Sequence, residues 1–322
     1  MAEDGASDLK NYPVNYVNGR IWVNNHAHVL QGKEKIANNK FLSYAMRLAD
    51  IESVLVGGGR AKLNADIMMN LDIAIPSFNE QEQIGAYFSN LDNLITLHQR
   101  KYNKLLNVKK SMLEKMFPKN ESNIPEIRFK GFTDPWEQRK LGDIADIVGG
   151  GTPSTSNEEY WDGEIDWYAP AEITNQIYVD SSERRITEQG FNNSSTKMLP
   201  VGTVLFTSRA GIGKMAILRK ESCTNQGFQS IVPHKNVLDS YFIFSRSEEL
   251  KRYGETVGAG STFVEVSGKQ MCAMELMMPQ TIDEQRKIGS YFSRLDHLIT
   301  LHQCELDKLK NIKKSMLEKL FL

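Results

Sequence analysis

Two long segments of the chain place an apolar residue at almost every seventh position. The positions are Ile84, Leu91, His98, Leu105 and Met112 in the first segment, and Ile288, Leu295, His302, Leu309 and Met316 in the second. A repeat of seven over this length predicts a coiled-coil seam rather than an ordinary amphipathic helix. Acidic residues precede each segment and lysines close it, as the helix dipole favours. We predict helices over 80–117 and 283–322, each about 55 Å long at ~1.5 Å per residue.

The two segments are copies of one another. Residues 84–117 and 288–321 are identical at 24 of 34 positions, without a gap and at an offset of 204. The similarity continues more weakly upstream, where Val56–Gly59 corresponds to Val257–Gly260. The repeat unit is therefore a variable segment followed by a nearly constant one. The first variable segment is the shorter, and we expect it to lack the counterpart of 139–205.

The predicted organisation follows from this repeat. It comprises a partial first variable domain over 1–79, a helix over 80–117, a linker over 118–136, a second variable domain over 137–282 and a helix over 283–322. The linker contains three prolines among polar residues. Short strands are expected at 202–207 and 229–232, and helices at 40–48 and 240–253. Both variable domains are thus predicted to be α+β.

Composition limits the class of protein and the binding partners that the chain can have. The 322 residues suffice for two ordinary cores, with 40% hydrophobic and 25% charged residues. No apolar run approaches the ~18 residues that span a bilayer, the start does not resemble a signal peptide, and the three cysteines lack metal-ligand spacing. We expect a cytoplasmic protein without a membrane partner. Its net charge is -1, so any DNA-binding charge must be local.

Several phrases, in order, resemble one family. They are IPEIRFKGFTDPWEQRKLGDI (124–144), GGGTPSTSNEEYWDGEIDW (149–167), LPVGTVLFTSRAGIGK (199–214), TNQGFQSIVP (224–233), VGAGSTFVEVSGKQM (257–271) and EQEQIGAYFSNLDNLITLHQRK (80–101). They resemble the DNA-specificity subunits of type I restriction–modification enzymes. The resemblance covers nearly the whole chain. It implies an α+β fold in which two target-recognition domains are joined by two long antiparallel helices related by a pseudo-twofold repeat.

The resemblance also implies a function. Each target-recognition domain would read one half of a split site in double-stranded DNA, and the helices would hold the domains a fixed distance apart. The expected protein partners are two methylation subunits, which bind S-adenosylmethionine, and restriction subunits, which use ATP and Mg²⁺. No cofactor is expected in this chain. The short first domain departs from the family pattern, and recognition of both half-sites depends on whether this domain reads DNA.

Candidate DNA-binding residues are those whose side chains suit base edges or phosphates. Arg and Lys favour guanine, and Asn and Gln favour adenine. The candidates are Arg209, Lys214, Asn225, Gln226, Gln229 and Lys269 in the second domain, and Asn24, Asn25, Arg60 and Lys62 in the first. For any single residue, a phosphate contact or an ordinary surface position is the alternative, because phosphate contacts dominate such interfaces.

Other motifs offer less chemistry. Gly211–Lys214 resembles part of a phosphate loop but lacks the preceding glycine and the following Ser or Thr. The glycine runs at 56–59, 149–151 and 257–260 fit either turns that approach DNA phosphates or plain turns. His26 and His28 could share a metal, but no third ligand is evident, and no metal site is predicted. Trp161 and Trp167 are expected to be core or rim aromatics. We found no methyltransferase or nuclease motif, so a non-catalytic role is expected.

The seam suggests a register. If the helices are antiparallel and aligned on His98 and His302, every apolar seam residue meets an apolar partner. We predict that this histidine pair sets the register, as single polar seam residues do; the alternative is two solvent-facing histidines at the seam edge. Two like charges would repel, so at least one imidazole should be neutral.

Three interpretations of the whole chain remain open. The first is a DNA-specificity subunit that scaffolds methylation subunits. The second is a structural adaptor whose coiled coil joins partners without reading DNA. The third is a defective fragment or recombination cassette of a specificity subunit. Divergent domains on near-identical helices favour the first, because a reader needs variable faces on a constant frame.

Overall fold

The computed structural model describes residues 1–3, 12–55, 62–119, 122–209, 211–259 and 265–321. The chain divides into two compact units: unit 1 is Met1–Lys104 with Thr300–Leu322, and unit 2 is Leu105–Ile299. The helices are α1 (Asn39–Leu48), α2 (Ala65–Met69), α3 (Phe78–Lys115), α4 (Glu188–Asn192), α5 (Ser240–Ser245), α6 (Ser247–Gly258), α7 (Gly268–Ala273) and α8 (Ile282–Phe321). The strands are β1 (Glu137–Lys140), β2 (Ala145–Gly149), β3 (Trp161–Tyr168), β4 (Tyr178–Val179), β5 (Arg184–Ile186), β6 (Val204–Phe206), β7 (Met215–Leu218), β8 (Cys223–Thr224), β9 (Gln229–Pro233) and β10 (Glu275–Met278).

The two long helices, α3 and α8, each contribute residues to both units. In unit 1, Ile84 and Leu91 of α3 belong to one apolar cluster with Leu309 and Met316 of α8. In unit 2, the other end of α3 shares a cluster with the first half of α8, through Leu105 and Met112 on α3 and Ile288 and Leu295 on α8. Opposite ends of the helices meet, so the helices are antiparallel and the expected fold class is confirmed.

Unit 2 contains the β-structure. Its five-stranded sheet has the order β2-β9-β6-β7-β4, a three-stranded sheet has the order β5-β3-β8, and β1 pairs with β10. Successive residues of a strand point to opposite faces. Accordingly, Val204 and Phe206 of β6 join the larger core with α5 and α6, whereas Leu205 joins a second core on the other face. Both faces of this sheet are covered, which explains why the strands β6 and β7 are continuously apolar.

Unit 1 differs from the expectation of an α+β first domain. Among the described residues of 1–79, only isolated bridge residues occur, at Ala2, Ala27 and Lys62, and the regular elements are helical. The expectation of strands there is wrong for these residues. In unit 2, β9 pairs with β2 and β6, whereas the described residues of 1–79 contain no strand in the place of β2. Backbone hydrogen bonds still join residues 1–3 to 26–28: the Glu3 N–H donates to the His26 carbonyl at 2.9 Å and the His28 N–H to the Met1 carbonyl at 2.8 Å. This short pairing is an isolated bridge and does not extend into a sheet.

Apolar side chains in unit 1 remain exposed as a result. Trp22 is 98% and Val29 70% exposed. The small core of this part of the chain is formed by Tyr12, Val14, Met46, Ile51, Leu63 and Met68. Helix α1 packs separately against the long helices through Phe41, Tyr44 and Ala45. The first variable segment is therefore anchored mainly by one helix.

The same glutamine contact docks a helix on the long helix in both units. In unit 1, Gln81 accepts a hydrogen bond from the backbone N–H of Asn38 at 2.9 Å. In unit 2, Gln285 accepts one from the backbone N–H of Asp239 at 3.1 Å. Asn38 and Asp239 are the N-caps of α1 and α5. Gln81 and Gln285 are 204 residues apart, so the internal repeat includes the way each variable segment is attached.

A buried carboxylate is duplicated in the same way. Asp296 accepts a hydrogen bond from the Tyr241 hydroxyl at 2.9 Å and pairs with Lys109 of α3 at 2.6 Å. Burial and this carboxylate raise the pKa of Tyr241 far above its ordinary value, so the phenol keeps its proton and donates. Asp92 lies 204 residues earlier and has the corresponding partners, Tyr44 and Lys313. Each aspartate therefore joins one variable segment to both long helices.

The predicted helix over 240–253 is two helices with a break at Arg246, which caps both. Its buried guanidinium donates to the backbone oxygen of Met277 at 2.6 Å and forms an ion pair with Glu249 at 2.8 Å. These contacts hold Arg246 at φ -94° and ψ 18°, outside regular α-helical geometry. The described part of the predicted linker has no helix or strand, but it is anchored by Arg128, which pairs with Glu284 at 2.7 Å.

Candidate nucleic-acid interface

The connection between β6 and β7 is a tight loop that carries two candidate cations. The backbone N–H of Thr207 donates to the Lys214 carbonyl at 3.0 Å, and the Lys214 N–H donates to the Thr207 hydroxyl at 2.9 Å. Lys214 is exposed. Arg209 is partly exposed and its guanidinium lies 4.0 Å from the carboxylate of Glu265. Because antiparallel strands flank this loop and no helix follows it, the phosphate-loop interpretation of Gly211–Lys214 is excluded.

The loop between β8 and β9, together with the first residue of β9, carries three candidate amides. Asn225 uses its side-chain oxygen for its own turn, accepting from the Gly227 N–H at 2.8 Å. Bidentate reading of adenine needs both the oxygen and the amino group of the amide, so the Asn225 oxygen already has an intramolecular role. Gln226 is exposed and accepts a hydrogen bond from the Thr152 hydroxyl. Gln229 is half-buried on β9.

Backbone hydrogen bonds join these loops to two more. The Ser208 N–H donates to the Gly227 carbonyl at 2.8 Å, and the Val266 N–H donates to the Ser208 carbonyl at 3.0 Å. The Gly151 N–H donates to the Thr224 carbonyl at 2.9 Å. The four loops, around 150–152, 207–214, 224–229 and 265–269, therefore form one surface, which we call the loop surface. It gathers the second-domain candidates Arg209, Lys214, Asn225, Gln226, Gln229 and Lys269.

The charge of the loop surface is locally positive although the net charge of the chain is -1. Lys269 is exposed in the first turn of α7, which Ser267 caps. With Arg209 and Lys214 it supplies three cations, against the single carboxylate of Glu265 on the same loops. This arrangement suits an anionic polymer, since the cations lie beside amides that can contact base edges.

Two buried tryptophans hold the glycine-rich loop, a role that sequence reasoning missed. Trp167 donates its indole N–H to the Gly151 carbonyl at 2.8 Å, and Trp161 donates to the Ser154 carbonyl at 3.2 Å. The two rings pack edge to face at 5.2 Å, and the Arg184 guanidinium stacks 3.6 Å from the centre of the Trp161 ring. Both indoles are buried. The available signal was the two tryptophans that follow the glycine run within one segment.

The glycines at 150–151 serve the protein's own backbone. A Cβ atom on Gly150 would lie 2.1 Å from the carbonyl oxygen of Asn225. This close approach favours the plain-turn interpretation for 149–151. Of the other two glycine runs, Gly258 lies inside α6, while 56–59 and 260 lie outside the described residues.

In unit 1 the candidates form a smaller group. Asn24 and Asn25 are exposed, and the Asn24 side-chain oxygen accepts from the His26 N–H at 3.1 Å. Lys62 pairs with Glu3 at 2.7 Å, and the Glu3 N–H donates to the His26 carbonyl at 2.9 Å. Glu3 therefore brings Lys62 beside the asparagine turn. Arg60 lies outside the described residues.

Neither upstream histidine belongs to a cluster of potential metal ligands within the described residues. His28 contacts the Leu63 carbonyl through Nε2 at 2.7 Å, which gives it a structural partner. Nor does any helix of the described ranges have the length and apolar character required to cross a bilayer.

The helix seam brings the two central histidines together. The Nδ1 atoms of His98 and His302 are 3.1 Å apart and the ring centroids 5.2 Å apart. A hydrogen bond between these two nitrogens requires one of them to donate and the other to accept. Both rings are largely shielded, with side chains 18% and 16% exposed. The placement does not fit two solvent-facing histidines at the seam edge.

Comparison with known proteins gives consistent matches. The family model described as the type I restriction modification DNA specificity domain matches residues 7–107 and 133–311. The MjaIX specificity subunit of Methanocaldococcus jannaschii is 35% identical over 205 residues, covering 63% of this chain and 47% of the relative. The EcoR124I/EcoR124II specificity subunit of Escherichia coli is 31% identical over 170 residues, covering 50% and 41%. The chain thus spans about half the length of these curated relatives.

Solved structures show the same fold at low sequence identity. The HsdS subunit from Thermoanaerobacter tengcongensis aligns with a TM-score of 0.54 and 19% identity over 88% of this chain and 70% of that chain. The S subunit of a type I restriction–modification system from M. genitalium aligns with a TM-score of 0.59 and 16% identity over 88% and 73%. With the family model covering well over half of its residues, the chain belongs to the type I restriction modification DNA specificity family.

Proposed function

We propose that this chain is the non-catalytic, DNA-reading subunit of a type I restriction–modification complex. The loop surface is the observation that supports this proposal most directly. Backbone hydrogen bonds join the loops that carry three cations and three amide side chains. These loops belong to the variable part of the chain and not to the repeated helices. In this proposal Arg209, Lys214 and Lys269 contact phosphates or guanine, while Gln226 and Gln229 contact base edges. Asn225 shapes the turn that presents them.

Family membership supports the remaining parts of the proposal. We assign 137–282 as the second target-recognition domain and 1–79 as a partial first one, joined by 118–136 and carried by helices 80–117 and 283–322. The proposed partners are double-stranded DNA, two methylation subunits that bring S-adenosylmethionine, and restriction subunits that bring ATP and Mg²⁺. The chain itself would hold no cofactor of the reaction. Because its target is cellular DNA, we place the complex in the cytoplasm.

A second version of this function is favoured by unit 1. The described residues of 1–79 lack a sheet and leave Trp22 and Val29 exposed. In this version only the second domain reads DNA, and Asn24, Asn25, Arg60 and Lys62 contribute at most phosphate contacts. Such a reader would recognise one half of a split site. The structural-adaptor alternative predicts no DNA contact at all.

Salt-dependent DNA binding by the assembled complex tests the proposal. Each cation that neutralises a phosphate contributes a slope of about -0.9 to the plot of log K against log salt concentration. We expect Arg209→Ala, Lys214→Ala and Lys269→Ala each to weaken duplex binding and to reduce the magnitude of the slope by about one. Loss of a direct guanine contact would instead cost about 1–3 kcal/mol on the target sequence alone.

Lys235→Ala is the matched control. Lys235 is exposed, as Lys214 and Lys269 are. It follows the opposite end of β9 from Gln229, and the two ends are about 13 Å apart along the strand at ~3.3 Å per residue. It should leave both affinity and slope unchanged. Equal effects of Lys235→Ala and the three loop variants, or no binding of duplex by the complex, would contradict the proposal.

A further inference from the structure

Three potential metal ligands meet at the midpoint of the helix seam in unit 1. Besides the 3.1 Å separation of the two Nδ1 atoms, a carboxylate oxygen of Glu305 lies 2.8 Å from Nδ1 of His98 and 3.4 Å from Nδ1 of His302. Within the described ranges, this is where three or more His, Cys, Asp or Glu side chains converge closely enough to share an ion. The three donor atoms form a small triangle.

The triangle has the dimensions of one face of a tetrahedral metal site. Zn²⁺ binds imidazole nitrogen and carboxylate oxygen at about 2.0–2.2 Å, which places neighbouring donor atoms of a tetrahedron ~3.3 Å apart. The donor separations of 2.8, 3.1 and 3.4 Å bracket that value. We propose that His98, His302 and Glu305 bind a divalent transition-metal ion, with Zn²⁺ as the preferred ion, and thereby join α3 to α8.

The donor set selects the class of ion. Two imidazoles and one carboxylate suit Zn²⁺ and its neighbours in the first transition series, whereas Ca²⁺ and Mg²⁺ prefer oxygen ligands alone. The Glu305 side chain is 43% exposed and the histidines are partly shielded. An ion can therefore enter from solvent, and a water molecule can complete the tetrahedron.

The site is not a by-product of the internal repeat. The two histidines occupy equivalent positions, 98 and 302, but the position equivalent to Glu305 is Lys101. The acid is thus specific to the second copy. It lies one helical turn after His302, on the same face of α8, as positions three apart do. Within unit 1, the apolar cluster that contains Leu91 of α3 and Leu309 of α8 restrains the two helices close to the donor atoms.

The bound ion would act as a crosslink between the helices. Two of its ligands come from α8 and one from α3, so separating or sliding the helices would break a metal–ligand bond. Binding to the folded state alone raises stability by mass action. The inferred role is therefore to lock the helix register that the histidine pair marks. It does not depend on DNA reading.

Metal titration of the tag-free full-length chain tests this inference. After removal of metal with a chelator, Co²⁺ should bind with a stoichiometry of one and give the intense visible absorption of a tetrahedral site, and Zn²⁺ should displace it. The thermal midpoint should rise with Zn²⁺ and not with Mg²⁺. Glu305→Gln and His98→Ala should each weaken Zn²⁺ binding by at least about 10–100-fold, the loss that follows even removal of an outer partner of a ligand.

His297→Ala is the matched control, because His297 is an exposed histidine on the same helix, five residues before His302. It should bind Zn²⁺ as the unsubstituted chain does. Glu305→Gln keeps the shape of an exposed side chain, and circular dichroism verifies that it is folded. Absence of stoichiometric binding, or equal affinity in Glu305→Gln and His297→Ala, would overturn the inference and leave the cluster as a hydrogen-bonded group only.

Discussion

Replacing Asp296 by alanine should destabilise unit 2 strongly. The carboxylate accepts from the Tyr241 hydroxyl at 2.9 Å and pairs with Lys109 at 2.6 Å, and its side chain is 8% exposed. Alanine would leave a buried phenol without this acceptor and a largely shielded ammonium without its counter-charge. Both partners lose interactions that were formed in the folded state, and neither regains full hydration.

The magnitude follows from these two losses. A hydrogen bond involving a charged group contributes about 1.5–3 kcal/mol, and a buried donor left without a partner costs about 1–3 kcal/mol. The lysine recovers some water, which reduces the ionic part. We expect a loss of about 3 kcal/mol, or roughly 6–12 °C in the thermal midpoint of a unit of this size. The equivalent Asp92 is 35% exposed, so Asp92→Ala should cost only about 1–1.5 kcal/mol.

Urea unfolding followed by tryptophan fluorescence measures the effect, since Trp136, Trp161 and Trp167 are buried in unit 2. Glu126→Ala provides the control, because it removes an ion pair to Lys115 whose side chains are 66% and 40% exposed. That pair should contribute less than about 0.5 kcal/mol. A cost for Asp296→Ala no larger than that of Glu126→Ala would refute the argument that the duplicated carboxylate anchors the variable segment.

Two further predictions concern the loop surface and its support. Gly213 has φ +89°, and a Cβ there would lie 2.4–2.8 Å from atoms of Lys251 on α6, whereas Gly211, at φ +103°, has its nearest such atom at 3.7 Å. Gly213→Ala should therefore cost about 1–3 kcal/mol more than Gly211→Ala in urea unfolding; equal costs would count against the packing argument. Burial would raise the pKa of Asp166, but hydrogen bonds from Lys220 and Ser182 outweigh it and hold the pKa below its ordinary value. A carboxyl group with a depressed pKa stabilises the fold above its unfolded pKa of about 3.9, and this stabilisation is lost as the pH falls through the folded pKa. The free energy of unfolding of Asp166→Asn should therefore fall less steeply in acid than that of the unsubstituted chain. Parallel curves of unfolding free energy against pH would contradict this prediction.

The long helices could be predicted because their signal is local and repeated. A seven-residue pattern identifies the buried face without reference to the rest of the chain. Aligning the two copies on His98 and His302 then predicted which ends meet, and the structure places these histidines 3.1 Å apart. The strand at 204–206 was visible because both faces of its sheet are buried, which makes it continuously apolar, and the strand at 229–233 was visible through its Ile231–Val232 pair.

The remaining features depend on partners distant in sequence. Residues 12–36 contain apolar positions, but their own pattern does not show how far pairing with another segment extends, and the pairing of Ala27 with Ala2 remains an isolated bridge. The break at Arg246 depends on a hydrogen bond to Met277, and the Asn225 oxygen is taken by its own turn. The seam predicted that His98 and His302 meet, but the ligand triangle was missed because the seven-residue pattern does not show that the Glu305 carboxylate turns towards both rings. Composition and spacing do not report such contacts.

Mapping of methylated adenines tests the central claim most directly. DNA from cells that express this chain with its methylation subunits would be compared with DNA from cells that express Gln229→Ala or the control Lys235→Ala. If the loop surface reads DNA, Gln229→Ala should relax the recognised motif at one base position, and Lys235→Ala should leave the motif unchanged. A split motif would show that residues 1–79 also read DNA, whereas a half motif would show that they do not. Methylation at an identical motif in all three cases, or its absence with the unsubstituted chain, would contradict DNA reading by this surface.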